Sequence, residues 1–173
     1  SKTQLESLGI TGITVDNLVA VHVAIQGSAN DGTAVDTVLE LQALVSTAAS
    51  NAQTALNAIS PAAQDNSATP TSPTRLDYQN TGVIGVTSNN LAAMNDALNS
   101  AVVNGVAVDT TAEVQALVDG YIAIFTAANG LDDSATNPSI TDYSTIGVTG
   151  VDTAVERSLL GDVIDEKFST DVD

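Results

Sequence analysis

The chain has 173 residues, a formal net charge of −17 and 43% hydrophobic residues, drawn mainly from Ala, Val, Leu and Ile. Such a field repels nucleic acid and anionic membranes, and with no Cys the chain has no disulfides, thiolate catalysis or Cys-based metal sites. Without Trp, and with Tyr78, Tyr121, Phe125, Tyr143 and Phe168 as its only aromatics, it offers little stacking surface for sugars or bases.

Three copies of one opening pattern divide the chain. Ser1-x-x-Gln4-Leu5 is followed by Gly9 and Gly12, Thr74-x-x-Asp77-Tyr78 by Gly82 and Gly85, and Ser139-x-x-Asp142-Tyr143 by Gly147 and Gly150. The resulting domains are a helical repeat over 1–73 with its connector at 60–73, a second over 74–138, and a partial or capping repeat over 139–173. Acid is spread almost evenly over them, with net charges of −5, −6 and −6. That distribution reads as a solvated acidic surface. The chain starts at the first residue of a repeat, without an initiator Met or a signal-peptide pattern, so the expectation is a segment of a longer protein.

In each copy the first element reads as a short helix. Thr74 is its N-cap with Asp77 at the third helical position, Pro73 and Pro138 precede the caps of the later copies, and Gly9, Gly82 or Gly147 ends it at positive φ. Leu5, Tyr78 and Tyr143 are its inward anchors, each Tyr hydroxyl at the rim of the core. A second helix is expected from Thr14 or Thr87 as N-cap, with Asn17 or Asn90 returning a side-chain amide to the cap. Leu18, Val21 and Ile25, or Leu91, Met94 and Leu98, form one apolar stripe and so one buried face.

The third helix is the longest. Thr37-x-x-Glu40 and Thr110-x-x-Glu113 are capping boxes, followed by Gln42-Ala43-Leu44-Val45 and Gln115-Ala116-Leu117-Val118. The stripe Leu41, Leu44, Val45, Ala48, Ala52, Ala55, Ile59 runs to Pro61; its counterpart holds Tyr121, Ile122, Phe125 and Ala128 and stops at Gly130. In the third copy Thr153-x-x-Glu156 repeats the third-helix box directly after Gly150, so the second helix is deleted or has drifted and the segment packs on the second unit as a cap. The fold class is all-α, as tandem three-helix bundles with a partial third repeat. Polar Pro- and Asx-rich turns at Asp65–Pro70 and Asp132–Pro138 hold successive units at a fixed angle.

Catalytic chemistry finds no foothold. His22 is the only histidine, its counterpart is Asn95, and no nucleophile triad, P-loop or dinucleotide fingerprint can be assembled. Asp132-Asp133 is the one strong carboxylate pair outside the tail, and its first-copy counterpart is Asp65-Asn66. With Ser134 and Asn137 it supplies hard oxygen ligands that suit a turn or a weak calcium contact; no EF-hand loop is present, and no cofactor is otherwise expected. Asn30-Asp31-Gly32 reads as a turn. No run reaches the roughly 18 apolar residues of a membrane helix.

The succession of a short helix ending at Gly-Ile/Val-Thr-like residues, a capped middle helix and a Val-Asp-Thr-x-x-Glu helix resembles the GA and GA-like three-helix modules of bacterial surface proteins. It is also similar to repeat regions of large bacterial adhesins. The resemblance covers residues 1–138 best. It implies a monomeric, non-enzymatic structural or adhesive segment, extracellular or on the bacterial cell surface, whose neighbours are repeats of the same chain. It also implies a protein-binding alternative, in which the face around His22, Gln26, Asn95 and Asn99 meets a host or matrix protein, albumin among the family's ligands.

Overall fold

The computed structural model describes residues 1–29, 31–65, 72–131 and 136–172. Eight α-helices follow in order: α1 Lys2–Ser7, α2 Leu18–Gln26, α3 Val38–Asp65, α4 Arg75–Thr81, α5 Leu91–Leu98, α6 Thr111–Ala127, α7 Ile140–Thr145 and α8 Ala154–Asp165. Short 3-10 turns lie at Gly105–Val108 and Ser169–Asp171. No strand forms among the described residues, whose only β pairing is a bridge between Asn129 and Phe168, and the fold is all-α.

The helix starts follow from side chains that satisfy otherwise unpaired backbone N–H groups. At α4 the Asp77 N–H donates to Thr74 Oγ1 (3.3 Å) and the Thr74 N–H to Asp77 Oδ2 (2.7 Å). Ser139 and Asp142 do the same for α7. The box recurs at each third helix, through Thr37 and Glu40, Thr110 and Glu113, and Thr153 and Glu156. Gly9, Gly82 and Gly147 follow the first helices at φ +84°, +86° and +87°, a region that a β-carbon makes costly.

Two features differ from the sequence expectation. The helices α2 and α5 begin at Leu18 and Leu91, with Asn17 and Asn90 at the cap, not Thr14 and Thr87. The Asn17 side chain points backward: its Oδ1 accepts from the Thr14 N–H (2.8 Å) and its Nδ2 donates to the Gly12 carbonyl (2.9 Å). Asn90 repeats this with Thr87 and Gly85. The Thr-x-x-Asn exchange therefore closes the turn before the helix. The second difference is that α3 runs through Pro61 to Asp65, a helix of 28 residues. A proline inside a helix removes one hydrogen bond and costs about 3 kcal/mol. Burial of Leu56, Ile59, Ala62 and Ala63 around it opposes that cost.

Those residues explain how the units join. They do not share the core of their own repeat, a small cluster of Ile10, Ile13, Val21, Val45 and Ala48 flanked by Leu5, Leu18, Ile25 and Leu41. They belong to a larger one that includes Tyr78, Met94, Leu98, Val114, Leu117 and Val118 and continues to Tyr143, Ile146, Val151 and Ile164. The long helix α3 accordingly packs on α2 at one end and on α4 and the Gly105–Val108 turn at the other. Ser60 Oγ donates to the Gly105 carbonyl there (2.9 Å). The same step recurs where α6 packs on α7. In the third copy α7 is followed directly by α8, which packs on α6, and no second helix intervenes.

Helix α2 also touches the second repeat. A β-carbon on Gly82 would lie 2.7 Å from the Ala20 backbone N and 2.9 Å from Val19 Cγ1, whereas one on Gly9 would meet nothing within 4 Å. Both glycines have the same positive φ. Replacing Gly9 by Ala should thus cost only the conformational term, about 1–2 kcal/mol. The same change at Gly82 should cost at least about 2 kcal/mol more, because backbone has to move. Equilibrium urea unfolding of both variants checks this; equal losses would mean that the contact between α2 and the Gly82 turn carries no stability.

Candidate functional site

The side chains of the joints are used internally. Gln42 on α3 clamps the turn between Gly9 and Gly12: its Oε1 accepts from the Thr11 N–H (2.8 Å) and its Nε2 donates to the Thr11 carbonyl (3.2 Å). Gln115 holds Ile84 in the same way, at 2.9 and 3.1 Å. Ser158 stands at the corresponding position of the third copy.

Of the four residues expected on the second-helix face, Asn95 is half-buried and committed. It accepts from the Tyr78 hydroxyl (2.9 Å), and its Nδ2 donates to the Pro73 carbonyl (3.0 Å). Burial, with a smaller push from Asp77, drives the Tyr78 phenol far above its ordinary range, so it remains a donor. His22 takes the place of Asn95 in the first copy, where Leu5 takes that of Tyr78, so both partners of the bond change together. His22 and Asn99 are half-buried and Gln26 is exposed. Tyr143 is 1% exposed and its hydroxyl has no hydrogen-bond partner among the described residues; the third copy has no second helix to supply an Asn.

Asp132, Asp133 and Ser134 of the proposed calcium segment lie outside the described residues. Asn137 is described and half-buried, its side chain against Gly161 of α8. Among the described residues no group of three or more His, Asp or Glu side chains could hold a metal ion. No helix among them is long and apolar enough to cross a membrane.

One concave surface among the described residues lies between the repeats. A groove of about 630 Å³ runs between α2 and the start of α6, lined by Val15, Val19, Val23, Ile84, Ala112 and Ala116 with Asp16, Thr111, Gln115 and Asp119 among its polar edges. Thr111 braces it by donating from Oγ1 to the Asp16 carbonyl. Val15, Val19, Val23 and Ile84 are 80, 45, 47 and 72% exposed. Helix α2 is thus apolar on two faces: Ala20 and Val21 are buried in the protein, whereas Val19 and Val23 face the groove. The single-stripe expectation missed the second face. Its signal is in the sequence, because Val15, Val19 and Val23 recur at helical spacing where the second copy has Ser88, Ala92 and Asp96.

Asp16 and Asp119 line the groove, and Asp109 lies near Asp16. Loss of hydration, then the charge of Glu113 and more weakly of Asp16, holds the exposed Asp109 carboxyl above its usual range. No known family, curated protein or solved structure matches the chain.

Two outcomes test this geometry. Asp109 binds its proton more tightly in the folded protein, so its charged form opposes folding near neutral pH and the opposition fades as pH falls through the raised value. Asp109→Asn should raise the thermal midpoint near neutral pH and leave it unchanged at about pH 3, where the carboxyl is protonated folded or unfolded. For the buried pair, Tyr78→Phe and Asn95→Ala should each lose about 1–2 kcal/mol. A double-mutant cycle by urea unfolding should return a coupling of about 1 kcal/mol, and additive losses would show that the bond contributes nothing.

Proposed function

We propose that the chain is a non-enzymatic structural or adhesive tandem-repeat segment of a secreted or cell-surface bacterial protein. The observation that supports this best is the junction: the third helix of one repeat packs on the first helix of the next, at α3 with α4 and again at α6 with α7. A junction built from the helix itself fixes the angle between neighbours, which suits a stalk that bears load or spaces a binding site from a surface. The even spread of acid keeps such a segment soluble and discourages lateral association.

This reading expects an extended monomer. Small-angle scattering should give a radius of gyration clearly above the roughly 16 Å of a compact chain of this length; a value at the compact limit would contradict it. The array is also expected to stand without metal. Thermal melts by circular dichroism in EDTA and in excess calcium should coincide. A rise in midpoint with calcium would instead make the Asp132–Asn137 segment a metal-held joint.

A second reading, a protein-binding module that presents its second helix to a host or matrix protein, is favoured by one observation. The exposed valine face of α2 is present in the first copy and absent from the second.

A further inference from the structure

We propose that the groove between α2 and α6 docks a basic amphipathic helix of a partner protein. The proposal rests on the second reading above, that α2 is a binding face, and adds where on α2 the partner sits and what chemistry it carries. The floor is an apolar ridge: Val15, in the turn that leads into α2, is followed by Val19 and Val23 about one helical turn apart, opposite Ile84, Ala112 and Ala116. A ridge of about two turns matches the i, i+4, i+7 anchors of a helix laid in a groove. No sheet edge borders it among the described residues, so an extended strand would have no backbone partners.

The rim selects the charge of the occupant. Asp16 and Asp119 line the groove, and Asp109 lies near enough to Glu113 and to Asp16 to feel both charges. Among the described residues no Lys or Arg lines it. A cationic helix would relieve that concentration of negative charge. A second copy, carrying −17 itself, would compound it.

The second repeat differs at these positions. It carries exposed Ser88, Ala92 and Asp96, whereas the first repeat places three valines there and leaves them in solvent. Apolar residues are also exposed on α8, at Val155, Leu159 and Val163, but the three valines of the α2 region line a groove, as a docking surface does.

The test is fluorescence anisotropy on the full chain at near-physiological salt, with three labelled peptides of about five helical turns. One carries Leu on one face and Lys on the other, the second is its scrambled isomer, and the third keeps the Leu face with Gln in place of Lys. The Leu/Lys helix should bind at least about tenfold tighter than its scramble. Val15→Ser with Val23→Ser should weaken it about tenfold, as expected for losing two apolar contacts. Asp16→Asn with Asp119→Asn should weaken it several-fold. Asp162→Asn with Glu166→Gln removes two exposed charges from the α8 region and should change binding by less than about twofold.

Equal binding of the scramble, an equal loss from the α8 pair, or full binding by the valine variant would overturn the proposal by reducing it to net charge. Equal affinity for the Leu/Gln helix would overturn the basic partner while leaving α2 as a binding face. Binding of neither helix would overturn both. Self-association of the chain at high salt, abolished by the valine changes, would overturn it in favour of a second copy.

Discussion

The junction of the repeats depends on the fact that the C-terminal half of α3 belongs to the core of the next repeat. Ile59 and Ala63 are fully buried with Tyr78, Met94 and Leu98, although the sequence pattern assigns them to the first unit. A helix does not bend freely over three turns, so one end of α3 fixes the small core of the first repeat while the other end fixes the second. At the next junction α6 meets α7 at Gly120, where a β-carbon would sit 2.9 Å from the Asp142 carbonyl oxygen. The two crossings use different means to bring helices close: alanines at the first and a glycine at the second.

Small side chains in the core have a consequence for the surface. Ala48, Ala52, Ala55, Ala62 and Ala63 make α3 a thin helix and let its neighbours approach, but each buries little apolar area. Tyr78 and Tyr143 are therefore the largest fully buried side chains. Tyr78 can be buried because Asn95 receives its hydroxyl, and the first copy, lacking that Tyr, is free to place His22 at the same position. The copies thus share a scaffold of caps, glycine turns and glutamine clamps while their α2 and α5 faces diverge. The apolar groove is a property of one copy, set where two copies meet.

What the sequence made legible is what local chemistry decides. The Thr-x-x-Glu boxes, the positive-φ glycines and the buried stripe Val45, Ala48, Ala52, Ala55 and Ile59 all sit where spacing places them. The start of α2 was not legible because Thr14-x-x-Asn17 has the spacing of a cap but spends its amide on the Gly12 carbonyl. The passage of α3 through Pro61 was not legible either, since the burial that opposes the proline's cost comes from residues far along the chain. The groove fell between these cases. Its valines were visible at helical spacing, but whether a stripe faces a core or solvent is decided by the packing of α2 against α3 and the Gly82 turn.

Native-state hydrogen exchange of Ile59→Ala tests the shared helix most directly. The account predicts that removing this side chain accelerates exchange of amides in α4, α5 and α6 while α2 keeps its protection, because Ile59 is packed in the core of the second repeat. Loss of protection in α2 with α5 untouched would show that the third helix serves its own repeat, and would contradict it.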